Sequence, residues 1–157
     1  MSKFMSASLC VALLAVSVAA NAEGQVITND LSKCRSGPST LVQINGVKTG
    51  TGKIRVQSYR ATASEWLTKG RWLTRVEVPA RAGAMTVCVP LPEAGHYGIA
   101  VRHDVNGNGK TDLTSDGGGM SNNPSINIFN LGKPSYKKTG FDVGNAPKTI
   151  SITMKYM

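Results

Sequence analysis

Oxygen-bearing side chains recur at alternate positions in Asp104-Val-Asn-Gly-Asn-Gly-Lys-Thr-Asp112. A hard cation such as calcium takes about six to eight oxygens in a flexible cage. Counted from Asp104, the side chains of Asp104, Asn106, Asn108 and Asp112 fall at the first, third, fifth and ninth positions of a calcium loop. Gly109 takes the sixth position, where the chain turns sharply, and the carbonyl of Lys110 takes the seventh. The twelfth position is Ser115, where such loops carry a bidentate glutamate; Asp116, one residue on, is the nearest substitute. Few carboxylates and a missing bidentate ligand predict a weak calcium site of about 10⁻⁴–10⁻³ M, one that stabilises the loop without doing Lewis-acid chemistry. The same residues also suit a metal-free turn between strands, because Asn-Gly pairs tolerate positive φ.

Other chemistry-bearing patterns are thin. The glycine-rich run Asp116-Gly-Gly-Gly-Met-Ser-Asn-Asn-Pro124 lacks the Gly-Lys-Ser/Thr ending of a phosphate-binding loop, and it is expected to be a flexible or tightly turned connection. There is no G-x-S-x-G and no H-E-x-x-H, so no catalytic residue is assigned and the chain is not expected to be an enzyme. His103 beside Asp104 is the one acid–base pair to name. It ends a strand-like stretch whose inward residues are Tyr97, Ile99 and Val101, a place for a packed or loop-capping histidine. Trp66 and Trp72 flank the basic turn Thr68-Lys-Gly-Arg71. With Lys69 and Arg71 they either form a platform for a sugar or anionic polymer or pack as core and edge residues.

The elements that must carry these residues have a period of two. Ile54, Val56 and Ser58 alternate with Arg55, Gln57 and Tyr59; Ile150, Ile152, Met154 and Tyr156 alternate with Ser151, Thr153 and Lys155. Such alternation fits strands with one dry and one wet face. Further strands are expected over 41–47, 73–78, 85–91, 96–103 and 139–143, with a helical turn or two over 61–69. Glycine and proline punctuate the runs, which points to a sandwich or small barrel.

The N-terminus resembles an export signal. One positive charge at Lys3 precedes an apolar run from Leu9 to Ala20, too short to span a bilayer, and Ala20-Asn-Ala22 has the small-x-small pattern of a cleavage site. Cleavage after Ala22 removes Cys10 and leaves Cys34 and Cys88, an even pair suited to an oxidising compartment. Bridged, they close a loop of about 55 residues, worth roughly 4 kcal/mol in the chain-entropy picture. In 85–89 the apolar face is Met85, Val87 and Val89, so Cys88 points the other way and the bridge pins the segment around Cys34 to the sheet's outer surface. With only His96 and His103 available, no four-ligand zinc spacing is present. The formal net charge of +9 is spread along the chain, and export argues against nucleic acid as its partner.

Taken in order, Gly52-Lys-Ile-Arg-Val, the run 92–101, His103-Asp-Val-Asn-Gly-Asn-Gly-Lys, Gly119-Met-Ser-Asn-Asn and Lys133-Pro-Ser-Tyr136 resemble the bacterial family DUF2141, a domain of unknown function. The resemblance implies an exported β-sandwich and supplies no activity. Where many members carry Pro-Lys-Glu before a Gly-Phe-Ser, this chain has Asp116-Gly-Gly-Gly, with Met120 in place of the phenylalanine. The glutamate available to complete a cage in those members therefore has no counterpart here.

The expectation is a signal peptide over 1–22, an N-terminal arm over 23–40 stapled by a disulfide, and an all-β sandwich over 41–157. The sandwich should be immunoglobulin-like or transthyretin-like, with about seven strands. The protein should be periplasmic or secreted, without a membrane span, and a non-catalytic module. Its partner would be an envelope component or an anionic polymer.

Overall fold

Alternation in the sequence becomes alternation in burial. In the strand Lys53–Arg60, Ile54, Val56 and Ser58 are fully buried, while Arg55 and Gln57 are half-buried. The computed structural model describes residues 24–157, so the leader expected over 1–22 lies outside the described residues. Ten strands form among them: β1 (Gln25–Ile27), β2 (Ser39–Val47), β3 (Lys53–Arg60), β4 (Thr74–Pro79), β5 (Gly83–Pro90), β6 (Gly95–Asp104), β7 (Gly117–Met120), β8 (Phe141–Val143), β9 (Lys148–Thr153) and β10 (Lys155–Tyr156). The strands beyond the expected seven are the short β1, β7 and β10, which span too few residues to show a period.

They form two sheets. The larger runs β1-β4-β3-β6-β7-β10 with β8 also on β6; the smaller runs β5-β2-β9. Their inner faces share one core. Val42 and Ile44 of β2, Val87 and Val89 of β5 and Ile152 of β9 pack with Ile54, Val56, Val76, Ile99 and Val101 of the larger sheet. This is the β-sandwich arrangement, two sheets joined by interdigitating apolar side chains.

The expected strand over 148–156 divides. β9 lies parallel to β2 in the smaller sheet, and β10 pairs with β7 in the larger. Between them the Met154 N–H donates to the Asn45 carbonyl at 2.8 Å, and Met154 stays buried, so the inward set survives the crossing. The segment 139–143 divides too: Tyr136–Thr139 is a single helical turn, and only Phe141–Val143 is strand.

The glycine-rich run at 116–124 corrects the expectation of a flexible or tightly turned connection, because Gly117–Met120 is a strand between β6 and β10. The reason is space. A Cβ on Gly117 would strike the Tyr156 ring, and one on Gly119 would lie 2.6 Å from Ile152 Cγ2. Glycine there lets the sheet close against neighbouring side chains.

The disulfide joins Cys34 and Cys88, whose Cα atoms are 5.8 Å apart. Cys88 lies on the face of β5 opposite Val87 and Val89, beneath the 3-10 turn Leu31–Cys34. The arm does more than hang from this staple. β1 adds a parallel strand beside β4, and Asn29 then reaches the smaller sheet. There its Oδ1 accepts from the Cys88 N–H at 2.9 Å and its Nδ2 donates to the Thr86 carbonyl at 3.1 Å.

Candidate functional site

The pairing of β3 with β6 sets the position of the 104–116 loop, since Lys53 lies opposite Asp104 in register. Gly52, at φ 74°, allows the preceding turn to cross so closely that a Cβ would overlap the Asp104 carbonyl. Asp104 is therefore buried, at 4% exposure.

From Asp104 onward the side chains wind the backbone around themselves. Asp104 Oδ2 accepts from the Gly109 N–H at 2.9 Å, Asn106 Oδ1 from the Asn108 N–H at 3.1 Å, and Asn108 Oδ1 from the Lys110 N–H at 2.7 Å. The last two are Asx turns, which wrap a chain into a tight loop, and the first spans the loop from its head. Asp112 Oδ2 accepts from the amide nitrogens of Asn106 and Asn108 at 2.8 and 2.7 Å. Asp116 closes the loop, its two oxygens accepting from the Val105 N–H at 3.1 Å and the Asp112 N–H at 3.0 Å.

Tested against a cation, this set fits in part. Asp104 Oδ1 is buried without a hydrogen-bond partner, an acceptor with capacity to spare. Asn106 and Asn108, however, turn N–H groups toward Asp112, so both amides must rotate before they can offer oxygens. Asp116 is already committed to backbone donors, and Lys110 is an exposed side chain whose backbone is drawn into the Asn108 turn. Among the described residues, no three His, Cys, Asp or Glu side chains gather closely enough to hold a metal. Any ion here would rest on amide and backbone oxygens beside Asp104 and Asp112.

The hydrogen bonds from Asn106 and then Asn108 hold the Asp112 carboxyl below the ordinary aspartate value of 3.8. A depressed carboxyl stabilises the fold fully above its unfolded value and loses that contribution as pH falls through the folded one. The side-chain amide resonances of Asn106 and Asn108 should therefore titrate together, with a midpoint below 3.8. A midpoint above it would show that the two bonds are not formed in solution.

His103 is fully buried with both ring nitrogens engaged. Nε2 lies 2.7 Å from the Thr51 carbonyl, which can only accept, so Nε2 carries the proton. Nδ1 then accepts from the Tyr156 hydroxyl at 2.8 Å, and that oxygen accepts from the Lys48 N–H at 2.9 Å. The chain of bonds ties β10 and the β2–β3 turn to β6, a packing role for this histidine.

The tryptophans separate. Trp66 is buried at 9% exposure: its Nε1 donates to the Pro134 carbonyl at 2.8 Å and its ring meets Tyr59 edge-on at 5.5 Å. It presents no open platform. Trp72 is half-buried with the Arg75 guanidinium 4.2 Å over its ring, and Lys69 and Arg71 remain exposed nearby in sequence.

Arg102 clasps the loop. Its guanidinium reaches Thr111 Oγ1 at 2.9 Å, the Gly109 carbonyl at 3.0 Å and Asp104 Oδ2 at 3.4 Å. Burial first, and then the neighbouring Arg55, press it below the usual arginine range. Strand period was the available signal, since residues two apart share a face.

Fold and loop together define a disulfide-stapled β-sandwich with a self-wound polar loop at one strand end. The chain belongs to DUF2141, described as an uncharacterized protein conserved in bacteria, whose family model matches residues 42–151. Cys34 and Tyr156 lie outside the matched span. No curated protein matches the chain, and no solved structure does. The disulfide accords with an oxidising compartment outside the cytoplasm. Among the described residues, no helix is long and apolar enough to cross a membrane.

Proposed function

We propose that this protein is an exported, non-catalytic module of the bacterial cell envelope whose 104–116 loop is stabilised by weakly bound calcium. The observation that carries the calcium reading is the buried, unpartnered Asp104 Oδ1 at the head of a loop already wound by Asx turns. Its support as a non-catalytic module is that His103, the acid–base candidate, has both ring nitrogens occupied by structural partners.

Thermal unfolding of the mature, oxidised protein with calcium and with chelator tests it. A ligand of the folded state at about a hundred times its dissociation constant adds about 2.7 kcal/mol. For a site of about 10⁻⁴ M this calls for calcium near 10 mM. The shift should vanish in Asp112→Ala, whose half-buried side chain lies outside the core and can be removed without opening it. Identical unfolding at every calcium concentration would leave the loop as a hydrogen-bonded turn and remove calcium from the proposal.

A second reading takes the basic surface as a binder of anionic or sugar polymers. Exposed Lys69 and Arg71 beside half-buried Trp72 favour it, without Trp66. It predicts salt-sensitive retention on an anionic matrix that is lost in Lys69→Ala/Arg71→Ala.

A further inference from the structure

The outer face of the larger sheet holds a groove of about 230 Å³, and its floor is a glycine with no backbone reason to be one. Gly117 and Gly119 face inward, where a side chain would collide. Gly118 faces outward with an ordinary φ, and the nearest atom to a Cβ there is the Val101 carbonyl at 4.0 Å. A larger residue would fit and would strengthen the strand. Its absence leaves the floor open between Ala100 of β6 and the loops above.

The walls are apolar and underpacked. Leu113, Leu131 and Met157 line the groove at 49%, 71% and 50% exposure, so three of the six large apolar side chains left exposed among the described residues gather at one place. Scattered exposed apolar residues are ordinary; a contiguous set around a concavity marks a binding surface. Met120 and Ile126 continue this lining toward the cluster around Trp66.

The charge around it is positive. Arg55 and Arg102 lie directly opposite each other across β3 and β6, a like-charge pairing that is unfavourable in a sheet. Arg55 pairs with Glu77 at 2.7 Å and Arg102 with Asp104 at 3.4 Å, so the free positive charge is that of the lysines. Lys133 and Lys155 line the groove, exposed, and neither forms an ion pair among the described residues. Asp112 and Asp116 also border it, but Oδ2 of Asp112 and both oxygens of Asp116 already accept the loop's own N–H groups.

We propose that this groove binds a small amphiphile, a carboxylate or phosphate head carrying a short apolar chain of about eight carbons, a size suited to the small end of ligand pockets. The head lies among Lys133, Lys155 and the arginines, and the chain lies over Gly118 against the leucines and Met157.

Calorimetric titration of the mature, oxidised protein with sodium octanoate and with octyl phosphate, both below micelle formation and in chelator, tests this. The chelator keeps a metal in the neighbouring loop from supplying the positive charge. Both probes should bind with sub-millimolar affinity and move the amide resonances of Ala100 and Gly118. Shortening the chain by two carbons should weaken binding about tenfold, as expected for burial of two methylenes. Acetate and inorganic phosphate should not bind measurably, and octyltrimethylammonium should not compete. Gly118→Leu fills the floor and should abolish binding at a melting temperature equal to or above that of the parent; Lys133→Glu/Lys155→Glu should weaken it at least tenfold. The proposal is overturned by unchanged binding in Gly118→Leu, by equal binding of the cationic amphiphile, or by no binding of either anionic probe. Retention on anionic vesicles without binding of monomeric octanoate would assign the face to a lipid surface and overturn it equally.

Discussion

Replacing Cys34 and Cys88 together by serine should lower the unfolding free energy by about 4 kcal/mol, the entropy released when a loop of about 55 residues is no longer closed. The two cysteines are 54 positions apart and tie the N-terminal arm to β5. The larger consequence is topological. β5 is an edge of the smaller sheet and β4 would be an edge of the larger, and the arm guards both, through Asn29 on the first and β1 on the second. Exposed edges present unpaired N–H and C=O groups to other chains. The serine variant should therefore melt roughly 10–20 °C lower, at about 3–5 °C per kcal/mol for a domain of this size. It should also aggregate on heating, and the Cys88 amide should lose much of its hydrogen-exchange protection. Equal stability of the variant and the oxidised protein would mean that β1 and Asn29 hold the arm unaided. Subcellular fractionation supplies the companion check, since this bond requires an oxidising compartment to form.

Trp66→Ala should cost about 3–5 kcal/mol, the range for removing a large aromatic side chain from a core. Its ring lies on Gly98 of β6, where a Cβ would come within 2.5 Å of it, and it forms the centre of a second cluster with Tyr59 and Met120 on the outer face of the larger sheet. Truncation also strips the buried Pro134 carbonyl of its donor. Trp66→Phe separates the two contributions, since it keeps most of the ring and loses the hydrogen bond, for which about 1 kcal/mol is expected. Because Pro134 adjoins Lys133 and Leu131, the alanine variant should also loosen the groove wall and weaken octanoate binding, while Trp66→Phe should bind nearly as well. Urea unfolding and calorimetry read both. A loss below about 1 kcal/mol for Trp66→Ala would return this ring to the surface as a ligand platform.

Period-two patterning was legible because burial of one strand face is a local constraint that each strand must satisfy. Ile54, Val56 and Ser58 of β3, and Tyr97, Ile99, Val101 and His103 of β6, point inward as their spacing requires. The disulfide was legible from the pair left once Cys10 is set aside with the expected leader, and from the phase of Cys88 against Val87 and Val89. The tight turns of the 104–112 loop were legible too, since its Asn-Gly pairs are local and Gly107 and Gly109 both take positive φ. Tyr59 was not. It stands on the face opposite Ile54 and Val56, and it is buried because Trp66 folds over it and is held there by the distant Pro134 carbonyl. Nor were the strand character of Gly117–Met120, the crossing of the chain at Met154, the sheet edges covered by Asn29 and β1, or the meeting of Gly118, Leu131 and Lys155 in one groove. The sequence by itself determined which residues alternate, which cysteines remain to pair and where the polar loop lies, because these follow from neighbours along the chain. Only the tertiary structure decided which outer face is covered and which stays open, because that depends on where segments far apart in sequence come to rest on the same sheet.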